Sequence, residues 1–192
     1  MIIGITGNSG SGKSEISQIL AKKINAKIIN ADVIVQELSE PKHIYYEKII
    51  ELFGTEILIN NKLNKRKIAD IIYTDKSKRN KLNELTYKYV VNEIKNRIKE
   101  TTSKNIILDA PLLFESKLDK ICDFTIAILA EKDIKLERIC KRDNISLKTA
   151  KNRLAIQKTD EFYISKAKYI IRNNGKIEEI KLEEICTKIG TN

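Results

Sequence analysis

Long apolar runs are missing from this 192-residue chain. None approaches the ~18 consecutive apolar residues that a membrane-spanning helix needs. The first residues also lack the charged leader and apolar stretch of a secretory signal, so the sequence predicts a cytoplasmic protein. Cysteine is scarce: Cys122, Cys140 and Cys186 are odd in number and widely spaced, which excludes a disulfide framework and offers no metal-ligand spacing. They read as reduced thiols. The single histidine, His43, reads as a surface or packing residue rather than a catalytic group. Only two prolines and seven glycines occur, and no repeat, low-complexity tract or Pro/Gly/Ser linker divides the chain. Its length suits one compact domain with room for an inserted subdomain.

Positive charge, in contrast, is abundant, with a formal net of +10. Lysines and arginines run along the whole chain with acids interleaved, rather than gathering in one basic block. That pattern argues against a dedicated nucleic-acid surface, and the same field would favour small polyanionic substrates.

Eight consecutive residues near the start carry the strongest signal. Gly7-Asn8-Ser9-Gly10-Ser11-Gly12-Lys13-Ser14 spells G-x-x-x-x-G-K-S, the phosphate-cradling P-loop. Its flanks fit, because Met1 to Thr6 is an apolar strand-like run, and Ile16, Ile19, Leu20 and Ile24 follow at helical spacing. Glycine lets backbone N–H groups approach phosphate oxygens without a side chain between. The helix opening at Lys13 adds unpaired N–H groups and the positive end of its dipole. Lys13 can reach the β- and γ-phosphates, and the Ser14 hydroxyl can ligand Mg²⁺.

Further apolar runs at 26–30, 105–109, 124–129 and 169–171 alternate with helical patterns. Continuous apolar strands of this kind predict an α/β fold, a parallel sheet covered on both faces. About seventy residues separate the second and third strands, far more than one crossover helix uses. Leu82, Leu85, Tyr89, Val90, Ile94 and Ile98 make a stripe on one long helix there. The expected organisation is a nucleotide-binding core, 1–32 with 105–192, and a helical insertion over 33–104 that holds the acceptor substrate.

After the fourth strand, Leu136, Ile139 and Cys140 form one helical face, and Lys135, Arg138 and Arg142 the opposite, cationic one. Ser146 can cap a second helix that turns Lys148, Lys151 and Arg153 outward and ends near Gln157. Together, over about 138–158, these suit a short lid closing arginines over phosphates. Asp109 ends an apolar strand as a Walker-B-type acid does and could hold Mg²⁺. Asp32 follows the second strand and could take the proton of an attacking hydroxyl. Another small-molecule or nucleoside-monophosphate kinase, or a nucleotide-dependent switch, would share the P-loop. The guanine-reading N-K-x-D pattern is absent, since Gln157-Lys158-Thr159-Asp160 ends a basic helix instead of following a buried strand.

Taken in order, Gly7 to Ser14, Ile29-Asn30-Ala31-Asp32, Asp109-Ala110-Pro111-Leu112-Leu113-Phe114-Glu115, Arg138, Arg142-Asp143, Gln157 and Ile170 to Gly175 resemble the dephospho-CoA kinase family. The resemblance covers nearly the whole chain and implies a P-loop kinase-type fold. It implies transfer of phosphate from ATP, with Mg²⁺, to the ribose 3′-hydroxyl of dephospho-CoA, the last step of coenzyme A synthesis. On that reading Asp32, Lys13, Arg138 and Arg142 are catalytic. Asn8, Ser9, Gly10, Ser11, Gly12, Lys13, Ser14 and Glu15 bind the nucleotide together with Asn173 and Gly175. Asp32, Pro111, Leu112 and Leu113 meet the acceptor, and Ser14 and Asp109 serve the metal. The implied partners are the two small substrates, with no specific nucleic acid and no membrane, in a monomer or small homo-oligomer. Asn30, Glu15, Tyr87-Lys88 and Lys168 depart from the family's usual residues: an acid, a hydroxyl, a His-Pro pair and an acid, respectively.

Overall fold

The computed structural model describes residues 1–175 and 179–188; positions 176–178 and 189–192 of the expected core lie outside the described residues. In chain order the elements are β1 (Ile2–Thr6), α1 (Lys13–Lys23), β2 (Lys27–Asn30), α2 (Ala31–Leu38), α3 (Ile44–Phe53), β3 (Leu58–Ile59), β4 (Lys62–Leu63), α4 (Lys65–Thr74), α5 (Lys76–Glu100), β5 (Ile106–Asp109), β6 (Phe124–Leu129), α6 (Lys132–Asp143), α7 (Leu147–Ala155), α8 (Asp160–Ile164), β7 (Tyr169–Arg172) and α9 (Glu179–Lys188). Single 3₁₀ turns occupy Thr55–Ile57 and Leu118–Ile121.

Five strands form one sheet in the order β2-β5-β1-β6-β7, every pair parallel. The expected α/β class with a parallel sheet is what is found. Alternation along the strands divides the core between the two faces. Ile3, Ile5, Ile107, Ile126 and Ile128 pack with Ile16 and Leu20 from α1, with Ile24 at its C-terminal cap, and with Leu182 and Ile185 from α9. Ala127 and Leu129 point the other way, onto Tyr163 of α8 and the partly buried Phe114 and Phe162. Burial on both faces explains why the strands read as unbroken apolar runs.

The chain divides into two compact units, Met1–Asn30 with Thr101–Asn192, and Ala31–Glu100. In the second unit, Tyr45, Ile49, Phe53, Ile57 and Ile68 form a core against which Leu82, Leu85 and Tyr89 of α5 pack. Its β3–β4 hairpin was not evident from the sequence pattern. Asn60 and Asn61 turn it with φ of 48° and 60°, a left-handed pair that asparagine tolerates and that matches strand twist.

In the first unit all the strands end at one edge. Because β1 lies between β5 and β6, the loop that follows it emerges at the crevice where open α/β sheets bind ligands. Ile107, at 0% exposure in the middle of β5, fixes that edge through the core beneath it. Ile107→Ala should lower the unfolding free energy by ~2–5 kcal/mol, measured as a lower urea midpoint at unchanged slope.

Candidate active site

The loop after β1 turns away from the sheet at Gly7 and enters α1 through Gly12, the N-cap residue, whose φ is 88°. A Cβ at Gly12 would lie 2.1 Å from Asn173 Nδ2, and one at Gly7 2.1 Å from the Ile128 carbonyl oxygen. No side chain fits at either place, so glycine is dictated by both backbone conformation and space.

The loop carries its own bracing. Ser11 N donates to Asn8 O at 3.2 Å, and Lys13 Nζ reaches the same carbonyl at 3.4 Å. Ser11 is wholly buried and Asn8 nearly so. Asn8 Nδ2 donates to Lys158 O at 3.0 Å, and Ser9 N donates to Gln157 Oε1 at 2.9 Å. Residues 157–158, just beyond α7, therefore fasten the outer limb of the loop.

Beside the loop, the ends of β2 and β5 bring three side chains together. Asn30 and Asp109 are opposite one another in the parallel register, and Asn30 Nδ2 donates to Asp109 Oδ2 at 3.1 Å. Ser14 Oγ donates to the same oxygen at 3.3 Å. Asp109 is 2% exposed, so its carboxylate depends on these donors in place of water. A hydroxyl and a carboxylate converging at a phosphate loop are the hard oxygen ligands Mg²⁺ takes, alongside substrate phosphates. Among the described residues no group of three or more His, Cys, Asp or Glu could hold a metal by itself.

A cavity of about 480 Å³ opens over Gly10, Gly12 and Ser14, and its walls carry Lys13, Arg138, Lys141 and Arg142 against the single acid Glu15. Four cations facing one carboxylate make this a place for a polyanion. Arg138 donates through Nη1 to Gly10 O at 3.2 Å and to Asn173 O at 3.0 Å. Arg142 donates to Ser9 Oγ at 3.2 Å and lies bidentate on its neighbour Asp143, at 2.8 and 2.9 Å. Arg153 of α7 pairs with the same carboxylate.

The remaining residues singled out from the sequence differ in their surroundings. Asn173 is wholly buried, whereas Gly175 is exposed, and a Cβ there would meet nothing within 4 Å. Pro111 accepts from Thr6 Oγ1 at 3.1 Å. Leu113 is fully buried against Gly4, and Leu112 is half-buried. Asp32 lies in the first turn of α2, in the second compact unit.

Comparison with known proteins gives this site its setting. The model of the dephospho-CoA kinase family matches residues 1–179. A dephospho-CoA kinase of Fusobacterium nucleatum is 38% identical, with 98% of each chain covered. One from Oceanobacillus iheyensis is 37% identical over 95% of this chain and 94% of its own. Among solved structures, the dephospho-CoA kinase of Campylobacter jejuni superposes with a TM-score of 0.62 at 27% identity, covering 98% of this chain and 94% of that one. The chain belongs to the dephospho-CoA kinase family.

It is thus a kinase, and several features of its site escape the local sequence pattern. Lys135, assigned by periodicity to the cationic face of α6, is 7% exposed and paired at 3.0 Å with Asp160. The backbone of α6 comes so close to Gly10 that a Cβ there would lie 2.5 Å from Lys135 O; that approach takes the residue out of water. Arg153, expected to point outward, is instead half-buried on Asp143. Lys141 joins the cavity wall although its face of the helix gave no reason to single it out. The Ser146 cap is as expected, accepting from Thr149 N at 3.2 Å.

No helix among the described residues is long and apolar enough to cross a membrane, and the cysteines form no disulfide. Burial pushes the Cys122 thiol up to about 12, so that thiol stays protonated and unreactive.

The Asp143 cluster gives a pH signature. Its hydrogen bonds from Arg142 hold the carboxyl below the ordinary value near 3.8. A folded-state pKa below the unfolded one adds stability that is complete above the unfolded value and disappears as pH falls through the folded one. Asp143→Asn should therefore be less stable than the parent at pH 7, and the gap should close in acid below the ordinary carboxylate pKa. Urea midpoints of both proteins along a pH series measure it.

Proposed function

We propose that this chain transfers the γ-phosphoryl group of ATP to the ribose 3′-hydroxyl of dephospho-CoA, giving ADP and coenzyme A in the last step of coenzyme A synthesis. The observation that carries the proposal is the convergence of Lys13, Ser14 and Asp109 at a P-loop, in a chain matched along nearly its whole length by one kinase family.

Phosphoryl transfer asks a protein mainly to position groups and neutralise charge. The loop amides and Lys13 hold the β- and γ-phosphates. Ser14 and Asp109 would hold Mg²⁺, which neutralises phosphate charge when bound. Arg142, at the cavity wall, supports the charge that spreads over the transferring phosphoryl oxygens, and Arg138 faces the same space. Residues 138–158 act as a lid over the nucleotide, and Asn173 and Gly175 lie along its path. The helical unit provides the acceptor surface, with Pro111, Leu112 and Leu113 contributing from the core.

Asp32 accepts the proton of the attacking 3′-hydroxyl and later releases it to water. The new bond joins that oxygen to the γ-phosphorus; the bond to the β,γ-bridging oxygen breaks, and ADP leaves. Asn30 cannot share this role, because an amide is no base at neutral pH.

An ATP-dependent assay with dephospho-CoA, reading coenzyme A by mass, tests the assignment directly. Preferential phosphorylation of a nucleoside monophosphate in the same assay would defeat it. Asp32→Asn should lower kcat by ~10²–10⁴-fold, the usual range for a lost general base, while ATP affinity by calorimetry stays the same. An unchanged kcat removes Asp32 from the chemistry.

A further inference from the structure

Glycine-rich loops face a difficulty that comes from their composition. Glycine accepts both signs of φ, so a peptide unit beside it can flip at little cost. A flipped peptide aims a carbonyl at the phosphate in place of an N–H, turning attraction into repulsion. Something outside the loop must hold its carbonyls turned away.

Asn173 is placed to do this. It immediately follows β7, and its own N–H extends the strand pairing by donating to Leu129 O at 2.7 Å. Its side chain is wholly buried and engaged at both ends. Nδ2 donates to Ser11 O at 2.9 Å, and Oδ1 accepts from Arg138 Nη2 at 3.4 Å. These neighbours fix the amide orientation, since a guanidinium can only donate and a carbonyl can only accept. Arg138 completes the brace, bonding Asn173 O and Gly10 O through Nη1. Two consecutive loop carbonyls, those of Gly10 and Ser11, are thus each held by a donor from outside the loop. The absence of a side chain at Gly12 is part of the same fit, because Nδ2 occupies the space a Cβ would take.

We infer that Asn173 is a positioning residue for the phosphate loop: by anchoring Ser11 O to the end of β7, it keeps the loop amides available to the nucleotide's phosphates. The inference rests on the reading of this loop as the ATP phosphate site, and it gives Asn173 a task independent of the base. A contact to adenine would matter only for ligands that carry a base. A loop brace matters equally for any chain of phosphates.

Inorganic tripolyphosphate separates the two. Calorimetry of the parent and of Asn173→Ala measures ATP, tripolyphosphate and dephospho-CoA affinities, all without divalent ion. Loss of the brace should weaken ATP and tripolyphosphate by similar factors, about tenfold, as when a buried carbonyl loses its donor. Dephospho-CoA affinity should change less than about twofold, since a brace on this loop does not touch the acceptor. Loss of ATP affinity with tripolyphosphate unchanged overturns the inference in favour of a base contact. No change in either, or an equal loss of dephospho-CoA, overturns it as well. Failure of the parent to bind tripolyphosphate in competition with ATP removes both the phosphate-site reading and this inference, whereas a silent substitution removes the inference alone. If Asn173→Ala does not fold, Asn173→Ser, too short to span to Ser11 O, is measured with the same ligands.

Discussion

The turn that leaves β1 must satisfy two demands that conflict in most chains. The N–H groups where it enters α1 have to face the phosphates, and its carbonyls must not be left buried without donors. The loop meets both through partners supplied from well separated parts of the sequence. Lys13 covers Asn8 O, Arg138 covers Gly10 O and Asn173 covers Ser11 O. Each donor comes from a different helix or strand end of the parallel sheet. The strand order, with β1 flanked by β5 and β6, is therefore part of the phosphate site and not merely its support. A change in that order would leave the same motif without its bracing.

Charge is arranged by a similar division. The chain's excess of cations is spread along the sequence, yet the cavity concentrates four of them by taking Lys13 from α1 and three from α6. Arg142, in the cavity wall, and Arg153 would repel each other without the carboxylate of Asp143 between them. Asp143 sits at the last turn of α6, and Asn144 then takes the left-handed conformation that ends the helix. The chain reversal that brings α7 back thus also places the counter-charge. Buried Lys135 is handled in the same way, with Asp160 at the start of α8 as its partner. Neither pair is a strong source of net stability, because desolvation offsets much of the attraction. What they provide is a fixed place for each cation in the absence of nucleotide.

Most of the fold could be read from the sequence, because the signals that specify it are local or periodic. Apolar runs gave the five strands of the main sheet, and the stripe from Leu82 to Ile94 gave α5. The P-loop was legible because its glycines, lysine and serine are contiguous. The features that stayed hidden depend on partners chosen across long separations. Ser9 and Gln157 lie 148 positions apart, and Asn173 and Ser11 lie 162 apart; no spacing rule connects them. Lys135 and Arg153 were misplaced for a related reason. Helical periodicity says which residues share a face, but not which face a neighbouring element will cover.

Asn30 illustrates how a departure from a family pattern can gain meaning only in three dimensions. In the sequence it is a missing acid. In the sheet it stands opposite Asp109 with its amide nitrogen on the carboxylate, where a second carboxylate would put like charges at hydrogen-bond distance in a buried setting. Those charges would have to share a proton or wait for a cation to separate them. The amide instead supplies a donor, and Oδ2 of Asp109 accepts from Asn30 and Ser14 together. The carboxylate is thereby held against the serine of the P-loop. At this corner the chain gains a preorganised, singly charged cluster, and Asp32 is left as the one acid in the Asn30-Ala31-Asp32 segment.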